Sequence, residues 1–134
     1  MSQENVQIVI DAATAYNRGD LDAWSEYFAD DVDHRAVEGS IDDHGPIHGK
    51  DAMRAYLQDW LDMFDDLHVE PVEMIDAGED QVVAVLRFGG RAKLSGVETE
   101  LPITIVARIK DGRITHFTDF GDRARALEAA GLRE

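Results

Sequence analysis

Apolar positions along the chain change period once. From residue 3 to 18 they recur at helical spacing, with Val6, Val9, Ile10, Ala13 and Tyr16 on one side, which predicts an amphipathic helix. The stretch "NRGD" at 17–20 closes it, since Gly19 suits the turn after a helix and Asp20 can cap the next one. That second helix is expected from Leu21 to about Phe28, with Leu21, Trp24, Tyr27 and Phe28 together. A short strand near 32–37 and a polar loop, "GSIDDHGPIHG", come next. Asp51 is expected to cap a third helix over 52–65. Its stripe of Ala52, Met53, Tyr56, Leu57, Trp60, Leu61 and Phe64 is the widest apolar face in the chain. After "DDLH" the period becomes two, predicting strands at 68–75, 81–93, 98–110 and 113–120, with turns at "AGED", "LSGVE" and "KDG". Within the second of these, "FGGR" at 88–91 reads as a bulge. A short helix over 122–130 ends at Gly131.

Helices packed on a curved, mostly antiparallel sheet make an α+β fold of a single domain spanning 1–134, its sheet curving towards a cone. The 52–65 helix is expected to lie across the concave face. The wide end of such a cone is hard to fill with side chains, so a small-molecule pocket is expected there.

Charge narrows the partners. The chain has 28 acidic against 13 basic residues, a formal net charge of −15. Such a surface repels phosphates and anionic lipid, which argues against nucleic-acid and membrane partners. There is no cysteine, which excludes disulfides and thiolate chemistry. No run of about 18 apolar residues and no basic leader segment is present, and a cytoplasmic location is expected. Glu38, Asp42, Asp43, His44 and His48 are metal-ligand types, but their glycine-rich loop lacks a His-x-x-x-His scaffold, and no metal or other cofactor is expected. Ser25, Ser40 and Ser95 lack a nucleophile-elbow setting.

The stretch "RITHFTDFGD" at 113–122 raises the question of chemistry. Alternation puts Phe117 and Asp119 on one face, with His116, Thr118 and Phe120 on the other. An aspartate walled by Phe117 and helix aromatics such as Trp60 is partly desolvated, a setting in which a carboxyl group can give or take a proton. Alternatively it caps the helix beginning near Asp122, or pairs with Arg87 or Arg123. His34 alternates with Val32 and Ala36, on the expected cavity side, as an acid/base partner for Asp119 or as a wall residue bonded to backbone or water. Arg87 either orients Asp119, binds an anionic group of a ligand, or sits in an ordinary salt bridge. Tyr16, Trp24, Tyr56, Trp60 and Phe117 are expected as core and pocket wall, suited to a flat or alicyclic ligand.

The stretches "YNRGDLDAWSEYFADDVDH", "GPIHGKDAMRAYLQDWL", "VETELPITIVARIKDGRITHFTDF" and "ALEAAGL", in that order and spacing, resemble the SnoaL-like branch of the nuclear-transport-factor-2-like superfamily from about residue 5 to 132. The resemblance implies a cystatin-like conical α+β barrel, usually a homodimer through the outer face of the sheet. It also implies relatives that include ketosteroid isomerases, limonene-epoxide-hydrolase-like enzymes and polyketide cyclases. Asp119 falls on the last-strand acid/base position of the cyclases and hydrolases. His34 stands where the hydrolases carry a pocket tyrosine. Ala36 and Ile105 occupy positions where the isomerases carry acids, and Arg87 lies one residue out of register with the hydrolase arginine. The expectation is a cofactor-free isomerase, cyclase or hydrolase using Asp119 with His34 on a small apolar substrate. A non-catalytic ligand-binding or accessory protein with the same pocket is the alternative.

Overall fold

The computed structural model describes residues 2–36, 45–78 and 80–132. Their order is α1 (Ser2–Asn17), α2 (Leu21–Ser25), β1 (Phe28–Arg35), β2 (Ile47–His48), α3 (Lys50–Met63), β3 (Phe64–Gly78), β4 (Gln81–Ala92), β5 (Glu98–Lys110), β6 (Arg113–Phe120) and α4 (Arg123–Ala129). The strands form one six-stranded sheet in the order β2-β1-β6-β5-β4-β3. Only the β1–β6 pair is parallel, so the α+β, mostly antiparallel architecture expected from the pattern is the one found. None of the described helices is long and apolar enough to cross a membrane.

Local chemistry accounts for most boundaries. Gly19 takes φ 70° after α1, and Asp20 caps α2 by accepting from the Ala23 amide at 3.0 Å. α2 is shorter than expected because the chain turns extended at Phe28, whose ring is buried in the core as the first residue of β1. α3 begins one turn-fraction early, at Lys50. Its N-cap is Gly49, with no side-chain bond, so Asp51 sits in the first turn rather than at the cap. At its other end Phe64 is already extended, and β3 starts there instead of at 68. The extra residues are absorbed by a bulge on β3 between Asp65 and His68, where Asp66 adopts φ 55°. β4 and β5 run in unbroken register opposite, so "FGGR" is the flat partner of a bulge and not itself one. A Cβ on Gly89 would lie 2.8 Å from the His68 ring, so the absence of a side chain there leaves room for that imidazole. The two-residue β2 inside the polar loop carries no alternation to read.

The concave face carries the main core. α1 and α3 lie across it, with Val9, Ala12, Tyr16, Met53 and Leu57 packed on Val69, Val82, Leu86, Ala107 and Ile114. Full burial of side chains such as Met53 and Leu57 contributes about 1.5–3 kcal/mol each. Asn17 fastens the end of α1 to the β3 edge: its amide donates to Val69 O at 2.8 Å and accepts from Val69 N at 2.7 Å. On the convex face α4 folds back over the sheet, burying Ala126 and Leu127 with Val83, Val106 and Phe120 as a second, smaller core.

Candidate active site

Between α1, α3 and the concave face is a cavity of about 280 Å³. Of the residues singled out in the sequence, Tyr16, Trp24, His34, Tyr56, Trp60, Phe117 and Asp119 all line it. Arg87 does not. It points from the convex face and pairs with Glu100 at 2.9 Å, because its neighbours Leu86 and Phe88 are the ones alternation turns inward. Phe88 and Ile105 line the wall as well and were not picked out as pocket residues. Their two-residue spacing from Leu86 and Ile103 was the signal that could have found them.

The polar centre is built by two neighbouring strands, β1 and β6, and by α3. In the parallel β1–β6 pair His34 lies opposite Phe117, and the two rings stack at 4.0 Å with 13° between planes. Tyr56 of α3 meets the imidazole edge-on at 5.1 Å. Two residues along β6 from Phe117, Asp119 brings its carboxylate to the imidazole, and His34 Nε2 donates to Asp119 Oδ2 at 3.2 Å. His34 Nδ1 is buried and has no partner, so a neutral ring with its proton on Nε2 avoids burying an unpaired N–H. Asp119 Oδ1 is also buried without a partner. The His34 side chain is 3% exposed and that of Asp119 13%, so the carboxylate is the group an incoming molecule meets.

None of the competing structural roles is taken by Asp119. The cap of α4 is Asp122, which accepts from Ala124 N at 2.8 Å, and Arg123 is held by Glu73 at 2.9 Å. Tyr16 completes the group. Burial, with a further contribution from the charge of Asp119, holds its phenol far above the usual range, so it is a hydroxyl donor at any physiological pH. The rest of the wall is aromatic and aliphatic. Phe88, Tyr16, Trp24, Phe28 and Phe117 follow one another in ring contacts of 4.7–6.2 Å.

Such a site can bind a small apolar body and present it with one carboxylate, one imidazole and one or two phenols. His116 lies outside, on the convex face, 3.4 Å from Asp33. No group of three or more His, Asp or Glu suited to a metal occurs among the described residues. Glu38, Asp42, Asp43 and His44, weighed above as ligand types, lie outside them.

Comparison with known proteins gives consistent results. A model of the SnoaL-like domain matches residues 9–117. No curated protein sequence matches the chain. Among solved structures, an NTF2-like protein of unknown function from Burkholderia pseudomallei is 25% identical, with 93% of this chain and 95% of that one covered and a TM-score of 0.78. A protein of ketosteroid-isomerase-like fold from Catenulispora acidiphila, in complex with trimethylamine, is 22% identical, covering 93% and 92%, with a TM-score of 0.74. Rv0760c from Mycobacterium tuberculosis, in complex with estradiol-17beta-hemisuccinate, is 20% identical, covering 87% and 92%, with a TM-score of 0.76.

Proposed function

The chain belongs to the SnoaL-like domain family of NTF2-like proteins, and on that premise we propose that it is a cofactor-free acid/base enzyme acting on a small apolar substrate. The observation that carries the reading is the Asp119–His34 pair, the one carboxylate among the described lining residues bonded to a buried imidazole inside an otherwise apolar cavity. Asp119 takes a proton from a carbon next to a carbonyl or related group and returns it, while His34 holds the carboxylate in place. The Tyr16 hydroxyl donates to the oxygen on which charge develops. Isomerisation, aldol-type cyclisation and hydration all use these parts. The cavity is at the small end of ligand sites, which run to about 300–1,000 Å³, so a substrate of one to three rings fits. Structures of the same fold crystallised with a steroid ester and with an amine support small-molecule binding.

The test is catalysed exchange. Wild-type protein in D2O with a panel of one- to three-ring ketones and cyclic imines is expected to speed α-deuteration of at least one above the buffer rate. No acceleration across the panel, with binding intact, would favour the second reading, a ligand-binding protein without turnover. That reading is supported by the lack of a second carboxylate among the described wall residues. A homodimer through the sheet would use the convex strip that α4 leaves open, around Arg87 and Glu100, and light scattering reports its mass.

A further inference from the structure

We propose that the ligand of this cavity is an organic cation, a small ring-containing amine or protonated imine held by Asp119 among aromatic faces. The inference rests on reading the cavity as the working site and narrows it to a substrate class. Three features of the wall carry it together.

The first is an unmet hydrogen-bonding demand. Asp119 Oδ2 accepts from His34, and Oδ1 is buried with no partner. A carboxylate can accept about four hydrogen bonds, so this one is left short inside an apolar enclosure. With His34 as the neutral Nε2–H tautomer, the pair carries an uncompensated negative charge. The second feature is the source of compensation. Among the described lining residues there is no Lys or Arg. Arg35, beside His34 on β1, is turned to the other face by alternation, and on β4 Arg87 and Arg91 are turned outward and engaged with Glu100 and Glu98. A positive group must therefore come with the ligand, and an N–H of that group supplies the missing charge-assisted bond. The third feature is the aromatic wall. Tyr16, Trp24, Tyr56, Trp60, Phe88 and Phe117 line the space, and the π faces of such rings attract a desolvated cation. A net charge of −15 adds a long-range field that gathers cations and repels anions at the mouth.

An anionic ligand meets no Lys or Arg among the described lining residues and faces the Asp119 carboxylate. A neutral ligand fills the volume but leaves the carboxylate uncompensated. A protonated imine meets both the binding and the chemical demand. Its C=N⁺–H charge sits by Asp119, which removes a proton from the carbon beside the C=N⁺ group. That gives the neutral enamine and a protonated carboxyl group, and return of the proton restores both partners without any oxidant or added group.

Calorimetric titration at pH 7 with three bicyclic probes of nearly one shape tests this: 2-aminoindane as cation, 2-indanol as neutral form and indane-2-carboxylate as anion. We expect the amine to bind about tenfold or more tighter than the alcohol and the carboxylate not to bind measurably. In Asp119→Asn the preference of amine over alcohol should vanish while the alcohol affinity holds, which separates the pocket carboxylate from the general acidity of the surface. Equal affinity of the wild type for amine and alcohol, or tighter binding of the carboxylate, overturns the cation proposal and leaves the cavity reading standing. Failure of all three to bind overturns both.

Discussion

On the convex face of the sheet Arg87 meets Glu100 at 2.9 Å and Arg91 meets Glu98 at 3.3 Å, with much of every side chain in water. On the concave face a single carboxylate meets a single imidazole at 3.2 Å, and both are nearly sealed. The convex contacts are of similar length to the concave one and more numerous, yet they matter less. In water an ion pair is screened and each partner has solvent to fall back on, so its net contribution is about 0–1 kcal/mol. Out of water, removing one partner strands the other. A protein gains little by burying such a pair for stability alone, since apolar residues of the same shape would do as well. The concave pair is therefore the one that needs a functional reason.

The largest effect expected is on the packing that encloses the pair. Met53, on the inner side of α3, is almost fully buried, and Met53→Ala should lower unfolding stability by about 2–5 kcal/mol in a urea titration. Next is the pair itself. His34→Phe keeps a ring stacked on Phe117 but leaves Asp119 without the imidazole donor, and a loss of about 1–3 kcal/mol is expected. Adding Asp119→Leu to that variant should recover most of the loss, because two apolar partners leave nothing unsatisfied. A double variant as stable as the wild type but inert in proton exchange would separate function from fold. Smaller again is the convex side, where Arg87→Ala should change stability by about 1 kcal/mol or less and leave ligand affinity unchanged.

The smallest effect is on pH dependence. His48 is hydrogen-bonded to Asp33, and that bond, with the charge of Asp33, raises its pKa. The raised folded value means that the protonated form is favoured by folding. The contribution is fully present below the ordinary imidazole value of about 6.5 and is lost as pH rises through the raised value. A melting-temperature difference between wild type and His48→Asn should be visible at acidic pH and close towards alkaline pH. A difference that widened with pH would contradict the assignment.

Much of this was legible in the chain, and the rest was missing for identifiable reasons. α1 and the strands β4 to β6 have clean periods, and the pocket residues on them follow from alternation once one inward residue is known. The inward direction of Asp119 and the outward direction of Arg87 follow from the same rule applied to Phe117 and Phe88. β1 and β3 begin earlier than their patterns suggest. At Phe28 a core aromatic outweighs the helical stripe, and at Phe64 a bulge with a positive-φ aspartate hides the alternation. The fold-back of α4 onto the convex face depends on tertiary contacts of Ala126 and Leu127 with Val83 and Phe120. A seven-residue helix carries no local sign of which surface it will cover. That Asp119 and His34, 85 positions apart, share a hydrogen bond rests on the parallel β1–β6 pairing, which no local pattern announces.

The most direct measurement is the exchange rate of a bound carbon acid in wild type and Asp119→Asn, with affinity measured in parallel. We expect the variant to lose about 10²–10⁴-fold in rate, the range that a positioned acid/base contributes, while still binding an uncharged ligand within a few-fold. Exchange at the wild-type rate with Asn at 119 would contradict the account, because the one carboxylate of the described cavity wall would then have no part in moving the proton.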